Sequence, residues 1–146
     1  MKLYIDADAC PVVDIAIKSA NEFNIETILV CDTAHILKKE NSTTIVVEQG
    51  KDSADLKIAN LISKYDIVVT QDYGLAAMCL AKSAYALNQN GLIYTADNID
   101  SLLLSRHSSA KVRRSGGRTK GPSKRTYQQD IDFEKSLKKL LTEVVK

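Results

Sequence analysis

Short apolar runs of the kind that buried parallel strands use recur along the chain as "KLYIDAD", "ETILVCD", "TTIVVEQ" and "DIVVTQD". Between them the spacing of apolar positions opens to the helical period. After Pro11, residues Val12, Val13, Ala16, Ile17, Ala20 and Phe23 predict a helix with proline in its first turn. "SADLKIANLISKY" and "YGLAAMCLAKSA" predict two more. Farther on, "AYALN" and "LIYTA" flank the turn "NQNG" as shorter strand candidates, and a helical pattern begins at Asn98. The last pattern places Phe133, Leu137, Leu140, Leu141 and Val144 on one stripe, a C-terminal helix at about residues 130–145. Strands alternating with helices predict an α/β fold, a three-layer α/β/α sandwich with a mainly parallel sheet.

Composition narrows the class. A chain of 146 residues that is 45% hydrophobic and 26% charged suits a single domain spanning 1–146. No apolar run reaches the roughly 18 residues that span a bilayer, and the opening turns acidic before a signal-peptide core could form, so the expectation is a cytoplasmic protein with no membrane partner. Cys10, Cys31 and Cys79 are widely spaced and form no CxxC pair, which argues against a structural disulfide or a zinc knuckle.

Charge is unevenly distributed. Residues 1–105 carry 8 Lys and Arg against 14 Asp and Glu. Residues 106–129 carry Arg106, Lys111, Arg113, Arg114, Arg118, Lys120, Lys124 and Arg125 with no acid. Within that block "RRSGGRTKGPSKRTYQQ" replaces apolar periodicity with Gly, Pro and Ser, and reads as a basic, glycine-rich loop or arm tied down at both ends. Such an arm can neutralise several phosphates, and nucleic acid is the expected partner, with Arg113, Arg114, Arg118, Lys120, Lys124 and Arg125 as contacts. The alternative is a solvated loop kept soluble by its charge.

The acids of the body fall at places that matter for chemistry. Residues two apart on a strand share a face, so Asp6 and Asp8 are expected to project together at the carboxyl end of the first strand, where open α/β sheets bind ligands. Asp72 follows the run "IVVT" and lies at another strand end. Asp55 lies in the first turn of the helix that follows Asp52, on the stripe of Ile58, Ala59 and Ile62. Convergent carboxylates repel one another unless one is protonated or a cation enters. Hard oxygen donors suit Mg²⁺ or Mn²⁺, and Asp6, Asp8, Asp55 and Asp72 are the expected ligands.

Each of these positions also precedes or opens a helix, where Asp serves as an N-cap; capping does not explain Asp6 inside a strand pattern or Asp55 on a stripe. Ser53 and Thr70 adjoin the acids and could orient a water or phosphate, or serve turns and strand ends. Cys10 at a helix start has packing as its simpler role and nucleophilic chemistry as the alternative. His35 and His107 lie in polar or basic surroundings and read as surface residues.

Four motifs, "YIDADACPV", "GKDSADLKI", "VVTQDYGLA" and "RRSGGRTKGP", resemble in order and spacing the bacterial YaiI/YqxD family over essentially the whole chain. That family looks like a relative of the PIN-domain nucleases. The resemblance implies a PIN-like fold and matches Asp6 to the first-strand acid, Asp55 to the helix acid and Asp72 to the acid after a later strand. Asp8 and Cys10 belong to the family's own opening motif. Lys120 stands where a second glycine is expected, and no aromatic follows Pro122. The expected activity is divalent-metal-dependent nuclease chemistry, with RNA favoured over DNA by analogy and Asp6, Asp55 and Asp72 as catalytic residues. Two alternatives stand beside it. "DADAC" is similar to the DxDx[TV] motif of haloacid-dehalogenase-like phosphatases, with Asp6 as nucleophile. A binding module without catalysis would use the arm alone.

Overall fold

The computed structural model describes residues 1–48, 53–114 and 124–145, with Ser53 and residues 106–114 given by backbone only. Five strands form one sheet: β1 (Lys2–Asp6), β2 (Glu26–Asp32), β3 (Thr43–Val47), β4 (Ile67–Val69) and β5 (Tyr85–Leu87), in the order β3-β2-β1-β4-β5. Every strand pairing is parallel. Helices α1 (Val13–Glu22) and α5 (Tyr127–Val144) pack on one face, and α2 (Ser53–Leu61), α3 (Tyr73–Ala81) and α4 (Ala96–Arg114) on the other. The architecture is the expected three-layer sandwich.

The strand period assigns the faces. Leu3 and Ile5 join the core under α1 and α5, whereas Tyr4 joins the core under α2, α3 and α4. In α1, Val13, Ala16, Ile17 and Ala20 are the buried stripe. That helix stops where Asn24 takes a left-handed φ of 56° and the amides of Asn24 and Ile25 return to Asn21 O and Ala20 O, a Schellman closure. A capping box of Thr126 with Gln129 starts α5. Its buried Phe133, Leu137, Leu140 and Leu141 each stabilise the fold by roughly 1.5–3 kcal/mol through burial.

Several expectations are corrected. The first helix begins at Val13 with Val12 as its cap, so Pro11 lies in the turn before it rather than in its first turn. β3 is an edge strand, half-buried, with Val46 41% exposed. "LIYTA" is no strand; Ile93 makes a single antiparallel bridge to Leu87. Reciprocal hydrogen bonds between Thr95 and Asn98 (2.9 and 3.2 Å) then turn the chain into α4. At the ends of the expected arm, 106–129, α4 continues to Arg114 and α5 starts at Tyr127, and residues 115–123 between them lie outside the described residues. Lys and Arg are good helix formers, and "SRHSSAKVRR" contains no breaker.

Gly91 in the "NQNG" turn has φ +89°, and a Cβ there would stand 2.6 Å from Asp132 O. Only glycine allows α5 to seat against this turn, where Ser136 Oγ donates to Gly91 O at 2.7 Å.

Candidate functional site

With β1 central, the chain leaves it for β2 on one side and later returns as β4 on the other. The carboxyl ends of β1 and β4 therefore flank the point where the strand order reverses, the crevice in which open α/β sheets hold ligands. Asp6 ends β1 and faces the α2/α3 side, sharing parity with Tyr4. Thr70 follows β4, is buried, and donates its hydroxyl to Asp6 Oδ2 at 3.1 Å. The same hydroxyl accepts from the Asp72 amide at 3.0 Å. Thr70 is itself held from both sides: its amide donates to Leu87 O at 3.0 Å, and the buried Tyr94 hydroxyl donates to its carbonyl at 3.1 Å.

Asp72 is the N-cap of α3, its Oδ1 accepting from Leu75 N at 2.8 Å. The capping role is real, and it coexists with contact to another acid. Asp55, on the first turn of α2 above the buried Ile58, Ala59 and Ile62, hydrogen-bonds the side chains of both Asp6 and Asp72. Asp6, Asp55 and Asp72 therefore meet as expected, with Asp55 in the middle. Burial first, then the hydrogen bond to Asp72 and the charges of Asp6 and Asp72, push Asp55 up to about 8. Burial, aided by the charges of Asp8 and Asp72, likewise raises Asp6 against the opposing hydrogen bonds from Thr70 and Asp55. At neutral pH the metal-free cluster keeps a proton between carboxylates.

Asp8 departs from expectation. β1 ends at Asp6 and the chain turns over residues 7–10, with the Cys10 amide on Ala7 O at 3.3 Å, so Asp8 stands beyond the strand rather than on a strand face with Asp6. It turns toward the end of β2, where its Oδ1 lies 3.5 Å from the Asp32 amide and 3.9 Å from His35 Nδ1. His35 Nδ1 and Asp32 Oδ1 are 2.9 Å apart; that hydrogen bond lowers the Asp32 pKa and raises that of His35. Among the described residues, Asp8, Asp32 and His35 are the acid and histidine group whose ligand atoms all lie within 4.8 Å of one another. Asp8 still lines an open cleft of about 460 Å³ together with Asp6, Asp55, Gln71, Asp72 and Tyr73.

Asp32 and His35 escaped sequence reasoning, although Asp32 ends "ETILVCD" as Asp6 ends "KLYID". His35 is exposed, as expected of a surface residue, but not idle. Cys10 is half-buried against the α1/α5 core, and burial pushes its thiol pKa up, the opposite of nucleophile activation.

Asp52, Arg118 and Lys120 lie outside the described residues, and so does the side chain of Ser53. Arg113 and Arg114 belong to the last turn of α4 rather than to a loop. Lys124 is exposed. Arg125 is held by Asp130 Oδ1 (2.8 Å), Asn90 Oδ1 (2.7 Å) and Gln89 O (2.6 Å), fastening the end of the basic block beside this edge of the sheet.

Asp6, Asp55 and Asp72 offer carboxylate oxygens of the kind hard divalent cations take, but their ligand atoms do not all lie within 4.8 Å of one another as those of Asp8, Asp32 and His35 do. No helix among the described residues is long and apolar enough to cross a membrane.

A family profile described as "Uncharacterized BCR, YaiI/YqxD family" matches residues 4–143. A UPF0178 protein of Exiguobacterium sibiricum is 53% identical over 98% of both chains. Another, from Ruminiclostridium cellulolyticum, is 52% identical over 94% of this chain and 90% of its own. No solved structure matches the chain.

Proposed function

The chain belongs to the YaiI/YqxD family, and from the geometry of its acidic edge we propose that it is a divalent-cation-dependent phosphodiesterase acting on nucleic acid. One observation carries the reading: Asp55 bridges Asp6 and Asp72 at the switch point of the sheet, where burial and mutual repulsion hold its pKa at about 8. Such a cluster is stable as three carboxylates only with an added positive charge.

Asp6, Asp55 and Asp72 would hold Mg²⁺ or Mn²⁺ through their carboxylate oxygens. Thr70 orients the Asp6 carboxylate, and Tyr94 fixes Thr70. A bound cation supplies Lewis acidity, stabilising the charge that develops on the phosphoryl oxygens during hydrolysis. Binding of a cation would require Asp55 to give up its proton, so occupancy would be favoured as pH rises toward 8. The choice of a polyanionic substrate rests on the acid-free block of eight basic residues between 106 and 129, which ends at Arg125 beside the cleft.

Purified protein incubated with single-stranded and structured RNA in Mn²⁺ tests the reading. Cleavage is expected, and Asp6→Asn and Asp72→Asn should each reduce it by about 100-fold or more. Activity equal to wild type in those variants, or salt-sensitive binding with no cleavage in either metal, overturns it.

A further inference from the structure

Beside the acidic edge, the carboxyl ends of β1 and β2 bring together a second group of donors. Asp8 comes from the turn after β1, Asp32 closes β2 and His35 lies three residues farther on, and their ligand atoms all lie within 4.8 Å of one another. His35 Nδ1 stands 2.9 Å from Asp32 Oδ1 and 3.9 Å from Asp8 Oδ1. Nitrogen and oxygen ligands lie about 2.0–2.2 Å from a zinc ion, so two of them on one ion stand roughly 3–4 Å apart. Both spacings match.

An ion pair between Asp32 and His35 explains two members of the group and leaves the third. Asp8 Oδ1 is 3.5 Å from the Asp32 amide and 3.9 Å from the ring nitrogen, beyond the roughly 2.7–3.2 Å of a formed N–H···O bond. It is held toward both donors and closes on neither. The side chains of Asp8 and Asp32 are only 30% and 19% exposed, so solvent screens them incompletely. Among the described residues no lysine or arginine pairs with either acid, and one imidazole faces two carboxylates. A dication would complete the balance.

The kinds of donor select the ion. Asp6, Asp55 and Asp72 offer oxygen alone, whereas this group adds an imidazole nitrogen, which suits zinc and its neighbours and is a poor ligand for Mg²⁺. Three protein ligands leave further positions for water, and the His35 side chain, 63% exposed, leaves the ion a way in.

We infer that Asp8, Asp32 and His35 form a separate site for a transition-metal dication of the zinc class, bound through an oxygen of each carboxylate and His35 Nδ1. Nδ1 ligates only when deprotonated, so the ion takes the place of the hydrogen bond between His35 and Asp32. The site needs no nuclease chemistry at the neighbouring edge.

The chain has two histidines, His35 and His107, so one variant assigns their ring signals. The full chain, freed of metal with EDTA and dialysed, is titrated with zinc chloride by calorimetry and by NMR of its ¹⁵N-labelled imidazoles. Stoichiometric Zn²⁺ should move the Nδ1 signal of His35 and leave that of His107 in place, and excess Mg²⁺ should not reverse the change. His35→Ala and Asp32→Asn should each weaken Zn²⁺ binding by about 100-fold or more, and Asp8→Asn by about ten-fold or more. Asp32→Asn keeps an oxygen for the Ala34 amide, at 2.9 Å in the native chain, and backbone amide spectra verify that each variant is folded. Binding unchanged in His35→Ala, or both histidines moving alike, makes the ion adventitious and overturns the site. Full-strength binding in Asp8→Asn overturns the three-ligand set. Asp72→Asn should leave the His35 shift in place, and its loss there would overturn the separateness of the two sites. Mn²⁺-dependent cleavage without a zinc shift at His35 would sink this site alone, and zinc held at His35 without cleavage would sink the nuclease reading alone.

Discussion

The two edges of the sheet treat a buried carboxylate in opposite ways. At the amino edge, Asp66 is 4% exposed and both its oxygens accept from backbone amides, Lys2 N at 2.9 Å and Ser63 N at 2.8 Å. Those bonds tie the start of β1 to the turn before β4, and the charge is compensated by fixed dipoles. At the carboxyl edge, Asp55 faces Asp6 and Asp72 instead of amides, and its pKa rises to about 8. The same residue type thus serves as a structural tie on one edge and stores repulsion on the other. What differs is whether the backbone or a ligand from outside must supply the positive partner.

The contrast can be broken most forcefully at Asp66. Asp66→Ala leaves two amides without their acceptor and should cost about 2–4 kcal/mol of folding stability in urea denaturation. Mn²⁺ affinity should be unchanged. A loss of affinity would mean that the edges are not independent.

Thr70→Val is the intermediate case. It removes the hydroxyl that bridges Asp6 Oδ2 and the Asp72 amide, and should weaken Mn²⁺ binding by about ten-fold in calorimetric titration while costing about 1 kcal/mol of stability. Unaltered affinity would remove Thr70 from the site.

The smallest effect sharpens the sign of the contrast. The folded value of Asp55, about 8, lies above its ordinary 3.8, so between these pH values the folded chain keeps a proton that the unfolded chain has lost. Metal-free protein should therefore lose stability through this group as pH rises from about 4 to about 8 and level off beyond. Asp55→Asn should flatten that slope and leave the metal-free protein as stable as wild type or up to about 1 kcal/mol more so at pH 8. A steeper slope in the variant, or a loss of stability at pH 8, would show that Asp55 is compensated by some other group.

Much of this was legible because it follows from periodicity. The strands at residues 2–6, 26–32 and 67–69 were visible as apolar runs, and the stripe of Ile58, Ala59 and Ile62 fixed the direction of Asp55. The path of Asp8 was not legible, because the alternation of "KLYIDAD" runs on through residue 8 whereas the strand stops at Asp6 and the chain turns over residues 7–10. The extent of α4 was obscured for another reason: a run of basic residues reads equally as a solvated loop or as a charged helix, and propensity decided for the helix as far as Arg114. The grouping of Asp8 with Asp32 and His35 had no signature of its own, since the two stretches meet only through the fold.

The double engagement of Asp72 limits how the site can be altered. Its Oδ1 starts α3 through the Leu75 amide, and a methyl group on residue 74 would stand 3.1 Å from that oxygen. The glycine of "QDYG" is what leaves the carboxylate its place. Asparagine, an equally good N-cap, can silence the charge and still begin the helix, whereas alanine would unfasten the first turn along with the ligand. Chemistry and helix initiation are written on one atom here, so a variant that spares the second is needed to report cleanly on the first.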